Sequence, residues 1–172
     1  MIYHIRAISN ESDDFLFDIA IDSGVTFQEL HDFIQEKLDY DPSHLSSFFI
    51  TDREWNKEVE VVAMDMGDGS MGEVKLMEEA TLEELLLERK ERFIYVYDIF
   101  NERILFMELI QIDKGNLSAP VATTLKGDIP PQIIDEEEDD MMDIDFEDDY
   151  YDDEDDYFSD DIDLDSLPDD YY

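Results

Sequence analysis

The sequence predicts an α+β fold: a small mixed or antiparallel sheet with one main packed helix and one short helix, followed by a disordered acidic tail. Three observations lead there. Two alternating apolar–polar runs flank a polar turn at the N-terminus, a helical apolar stripe opened by a capping box comes next, and the last stretch of chain is acidic without a single lysine or arginine.

The alternating runs come first. In "MIYHIRAI", Met1, Tyr3, Ile5 and Ala7 share one face of a strand, with His4 and Arg6 on the other. "SNESDD" is a polar turn, and in "FLFDIAID" Phe15, Phe17, Ile19 and Ile21 face inward while Asp18 and Asp22 face out. Such a pair around a short polar connection makes an antiparallel hairpin. Thr26 and Glu29 then form a capping box, each side chain satisfying a free amide at a helix start. Phe27, Leu30, Ile34 and Leu38 continue as one helical stripe until Asp41-Pro42, where proline disfavours helical geometry in the residue before it.

"LSSFFIT" and "EVEVVAM" read as short strands, and the acidic, glycine-rich "DMGDGSMGE" reads as an exposed loop. A second capping box, Thr81 with Glu84, opens a short helix carrying Leu82, Leu85 and Leu86. "RFIYVYD" and "ILFMELIQI" are strands joined by "IFNER"; the second is apolar on both faces except at Glu108 and Gln111, which suggests a central strand. A β-grasp-like arrangement satisfies this order of elements, although order alone does not fix strand pairing.

The domain boundaries follow from composition: residues 1–112 for the α+β domain, 113–134 for a proline-containing arm with Pro120, Pro130 and Pro131, and 135–172 for the tail. All 11 bases lie in residues 1–128 against 28 acids, a net −17, whereas residues 129–172 hold 22 acids and no base. Acids at that density repel one another, and the apolar residues among them show no period. Ordering such a segment costs ~1–2 kcal/mol per residue in backbone entropy with nothing to offset it, so the expectation is disorder.

With no cysteine, disulfides, thiolate nucleophiles and Cys-based zinc sites are excluded. "MIYHIRAISNESDD" lacks the pattern of a signal peptide, and the apolar runs are far shorter than the ~20 residues a membrane helix needs. The expectation is a soluble, cytoplasmic chain. Nucleic acid is disfavoured as a direct partner, because neutralisation of phosphates by Lys and Arg drives that binding and the net charge here is −39. Neither a Gly-x-Ser-x-Gly, a His-Glu-x-x-His, a P-loop nor a dinucleotide fingerprint occurs, and no cofactor is implied. Residues 65–72 lack the alternating acids and distal Glu of a calcium loop.

Three blocks together resemble the plasmid pRi Orf-three-like family, whose members are often labelled TnpR-type passenger proteins of insertion elements. They are "TFQELHDFI" with Leu30 and His31; "DYDPSHLSSFFI" with Tyr40, Asp41, His44, Leu45 and Phe48; and "RFIYVYD…MELIQI" with Phe93, Tyr95, Tyr97, Asp98 and Glu108. The resemblance covers roughly residues 1–112. It implies an α+β domain found on mobile elements and in bacterial genomes, with no established activity. The chain departs from the family pattern after Asp98, where "IFNERILFM" has none of the usual Gly-Asp, Trp and His. That departure weakens any case for chemistry.

The resemblance singles out His31 and His44, with Asp98 and Glu108, as weak candidates for acid–base or metal work. A zinc site needs three or four ligands held together. His31, His44 and Asp98 form one only if the fold unites them, and a histidine beside a core more often hydrogen-bonds a backbone carbonyl. The tail gives the clearer signal. Phe146, Tyr150, Tyr151, Tyr157, Phe158, Leu164 and Leu167 are interleaved with acids, a mixture typical of segments that dock on a basic protein surface. The expected function is therefore a non-enzymatic interaction module; the competing reading is a metal-dependent or acid–base enzyme using His31, His44 and Asp98.

Overall fold

The structure is a computed structural model that describes residues 1–67 and 72–133. The described residues fall within one unit, Met1–Asp135. The expected disordered tail and its seven candidate residues lie outside the described residues.

The strands are β1 (Ile2–Ser9), β2 (Leu16–Asp22), β3 (Ser47–Thr51), β4 (Lys57–Val62), β5 (Glu73–Leu76), β6 (Arg92–Asp98), β7 (Arg103–Asp113) and β8 (Val121–Lys126). The helices are α1 (Phe27–Leu38) and α2 (Leu82–Leu85). Among the described residues, all eight strands form one sheet in the order β5-β4-β3-β6-β7-β1-β2-β8. Neighbours run antiparallel except the parallel pair β4–β5, so the sheet is mixed.

This overturns the expected α+β class with a small sheet. The sheet is large and carries the fold, and the helices, 12 and 4 residues long, contribute little of the chain. Two strands explain the difference. β5 has four residues and directly follows the glycine-rich loop, too short to show a period. β8 lies inside the stretch expected to be a proline-containing arm, on the sheet edge, where its half-exposed side chains need no apolar alternation.

β8 is held at its end by Gly127. Its φ is +78°, and a Cβ there would stand 2.0 Å from the Asp14 carbonyl oxygen, so the two backbones meet where only glycine fits.

Alternation puts Phe17, Ile19 and Ile21 of β2, Phe48 and Ile50 of β3, Phe93, Tyr95 and Tyr97 of β6, and Leu105, Met107 and Leu109 of β7 in one core. The stripe of α1 closes that face: the Phe33 ring stacks 6.2 Å from Phe17, and Phe27 meets Phe48 edge-on at 5.2 Å. The Thr26–Glu29 capping box forms as expected, whereas Thr81 makes no side-chain cap and Glu84 pairs with Lys75 at 2.8 Å instead. α1 ends at Asp39, which caps it in the left-handed conformation.

The opposite face carries two rows across the strands. Arg92, Glu108, Arg6 and Asp18 are successive register partners on β6, β7, β1 and β2. Beside them run Phe49, Ile94, Phe106, Ile8 and Leu16 on β3, β6, β7, β1 and β2. Trp55, in the β3–β4 turn, folds its ring onto Phe106 at 4.9 Å, with the Arg92 guanidinium 5.0 Å from the indole. The expectation that β7 is covered on both faces is met on one only: its outward residues are half-buried.

Candidate functional site

Two features of the described residues have the makings of a site: a buried polar layer under α1 and an apolar cavity on the other side of the sheet.

The polar layer begins with β6, whose alternation puts Tyr95 under the middle of α1 and Tyr97 beside Tyr40, just past the helix. The Tyr95 hydroxyl lies 2.9 Å from His31 Nδ1 and accepts a 2.5 Å hydrogen bond from Gln35 Nε2. Burial, opposed by the Asp32 charge, holds the His31 pKa below its ordinary value. Burial pushes the Tyr95 hydroxyl up to about 12, against smaller lowering contacts from Ser46 and Gln35. Ser46 Oγ nevertheless lacks a hydrogen bond of good geometry, as does Gln35 Oε1.

The layer continues at the sheet end. The Tyr40 ring packs 5.1 Å from Tyr97, and the Tyr40 hydroxyl donates to the Pro130 carbonyl at 2.6 Å. Arg103, 4% exposed, clasps the Glu11 carboxylate through Nε and Nη2 and lies 5.6 Å over the Tyr97 ring. Burial first, then the Glu11 charge, pushes the Tyr97 hydroxyl up to about 12. Tyr97 OH and Arg103 Nη1 are buried without a hydrogen-bond partner. Gln132 reads the Asp41 backbone twice, accepting from its N–H at 2.6 Å and donating to its carbonyl at 3.1 Å, so residues 130–132 are fastened beside the end of α1.

The residues singled out in the sequence are dispersed. His31 belongs to the buried layer on α1. His44 is half-buried in the turn after α1, its N–H donating to the Asp41 carbonyl at 3.2 Å. Asp98 caps the β6–β7 turn, accepting from the N–H groups of Phe100 and Asn101 and from the Asn101 side chain. Burial alone would raise its pKa, but those donors and Arg103 hold it below the ordinary carboxylate value. Glu108 is on the opposite face from His31, taking a 3.2 Å hydrogen bond from Arg92 Nε. Among the described residues, no group of three or more His, Asp or Glu stands close enough to hold a metal ion.

Sequence reasoning missed the cavity. It measures about 250 Å3 and lies over the face of β3, β4 and β5 turned away from α1, with Ser47, Glu60, Val62 and Val74 as its floor. Leu45, Met64, Met66, Ile99 and Phe100 form its walls, and Asp65 joins them. Every one of the five apolar wall residues is exposed, Met64 and Met66 at 68% and Phe100 at 84%. The signal in the sequence was the pair of methionines in an acidic loop and the Ile-Phe dipeptide in a turn, both costly places for apolar groups unless they meet something.

No curated protein matches the chain. A crystal structure of a protein of unknown function from Methanosarcina mazei Go1 has a similar fold, with a TM-score of 0.56 and 20% sequence identity over 72% of this chain and 68% of that one. The family model described as "Plasmid pRiA4b ORF-3-like protein" matches residues 8–161, reaching well past the 1–112 span of the sequence resemblance. The chain therefore belongs to the plasmid pRiA4b ORF-3-like family.

Proposed function

We propose that the protein is a non-enzymatic interaction module: a β-sheet body bearing an acidic segment, residues 135–172, that binds a basic protein surface. One observation carries this reading: 22 acids and no base in residues 129–172, interleaved with Phe146, Tyr150, Tyr151, Tyr157, Phe158, Leu164 and Leu167. Charge speeds the encounter with a cationic surface, and the aromatics supply contact area on arrival. A nucleic-acid-binding protein, whose DNA site the acids imitate, is one partner of this chemistry. The enzyme alternative gains nothing from the placement of His31, His44 and Asp98, which stand on α1, in the turn after it and at the end of β6.

The experiment is a comparison of partner capture by three chains: the full chain, a chain ending at Ile133, and a full chain with the seven large residues replaced by serine. Ending at Ile133 keeps Pro130 and Gln132 against Tyr40 and Asp41. Basic partners should be retained by the full chain, lost by the shortened one, and held more weakly by the serine chain. Equal capture by all three rejects the proposal.

A further inference from the structure

We infer that the cavity walled by Leu45, Met64, Met66, Ile99 and Phe100 is a peptide-docking site that takes a large apolar side chain flanked by lysine or arginine. This rests on the reading of the protein as a binder of basic surfaces, and it places the specific contact on the body of the domain.

Three observations converge on that occupant. Monomeric proteins rarely gather large exposed apolar side chains in one place without use for them, yet five do so here around one concavity. At about 250 Å3 the cavity is below the ~300–1,000 Å3 typical of small-molecule sites, which suits one anchoring side chain. Its lining contains two carboxylates, Asp65 among the walls and Glu60 on the floor, and no Lys, Arg or His, so a cationic peptide meets a lining of complementary sign and an anionic one is repelled.

The walls are suited to capture. Methionine is unbranched and polarisable and repacks around different partners, and two of the five wall residues are methionines. Phe100 stands in the β6–β7 turn, where Asp98 fixes the backbone by accepting from the Phe100 N–H at 3.0 Å. The ring is thus presented outward by a turn that does not need to reorganise. A buried aromatic or aliphatic anchor in such a pocket commonly carries most of the energy of an interface.

The test uses the full chain labelled with 13C at the methionine methyls, with Met64→Leu and Met66→Leu chains to assign the signals. One probe is the blocked hexapeptide Lys-Lys-Phe-Leu-Lys-Lys; the other replaces Phe-Leu by Ser-Ser and keeps the charge. The apolar probe should shift the Met64 and Met66 methyls and leave Met77 and Met107 in place. Phe100→Ser should weaken it at least fivefold without changing affinity for the serine probe. A chain with all 22 acids of residues 135–172 neutralised to Asn and Gln separates the two readings. Loss of affinity for both probes in that chain, with Met64 and Met66 unmoved in the parent, overturns the cavity and leaves the acidic segment standing. Persistent Met64 and Met66 shifts after neutralisation support the cavity alone. Indifference of the apolar probe to Phe100→Ser overturns the docking site.

Discussion

The Tyr95 hydroxyl sits 2.9 Å from His31 Nδ1 in the interior of the protein, so the histidine is held neutral next to a phenol instead of being offered to solvent. Burial lowers the His31 pKa, against the pull of Asp32. The unfolded chain, with an ordinary histidine near 6.5, therefore binds a proton before the folded one does. The His31 contribution to stability should be constant well above that value and fall as pH drops through it towards the folded pKa, by no more than about 1.4 kcal/mol per pH unit. Urea unfolding of wild type and His31→Gln between pH 7.5 and 5 checks this: the variant should show a flatter dependence. An identical slope would remove His31 as its source.

Arg103 is almost wholly buried, and Glu11 neutralises it from a position where its side chain is 31% exposed. Removing one partner of a fully buried pair costs about 3–5 kcal/mol. Glu11→Gln should cost less, about 2–3 kcal/mol, because water can reach the carboxylate side of the pair. Arg103→Met, which removes the charge together with its need for a partner, should cost less than Glu11→Gln. Chemical denaturation of both variants decides.

Gly127→Ala should be costly for an alanine substitution at a strand end. The added methyl would overlap the Asp14 carbonyl at a backbone angle that L-residues avoid. A loss of about 1–3 kcal/mol is expected, with faster amide exchange in β8 than in β6 or β7.

Two threonines at helix starts should respond differently. Thr26 Oγ1 accepts from the Glu29 N–H at 3.3 Å, so Thr26→Ala should cost about 1 kcal/mol. Thr81 makes no such bond, and Thr81→Ala should stay within about 0.5 kcal/mol of wild type. Thermal unfolding of the pair measures the difference.

What the sequence disclosed, and what it hid, follows from burial. β1 and β2 alternate visibly because one side of each packs against the core, and the stripe of α1 is visible for the same reason, whereas β6 and β7 show as apolar runs, β6 being buried on both faces. β5 and β8 sit on the two edges of the sheet, where few side chains are enclosed, and so their sequences carry no period. The second capping box illustrates a limit of spacing: Thr81 and Glu84 have the right separation, but Lys75 competes for the carboxylate. His31 was visible as a residue beside a core. Its tie to Tyr95 spans 64 positions, and no local pattern encodes it. The cavity was hidden likewise, because its walls come from three loops brought together only by the order of the sheet.

The row Arg92–Glu108–Arg6–Asp18 draws its members from both ends of the domain, and Arg6 grips Asp18 with two 2.8 Å hydrogen bonds. Side chains alternate along a strand, so a slip of one residue would swing a guanidinium or carboxylate onto the face that α1 seals with Phe27, Leu30 and Ile34. Desolvating an unmatched ion there would undo whatever the misaligned pairing had gained. The ladder thus proofreads assembly: it adds little to the finished fold, yet it makes β1, β2, β6 and β7 a poor template for mispaired, aggregating strands.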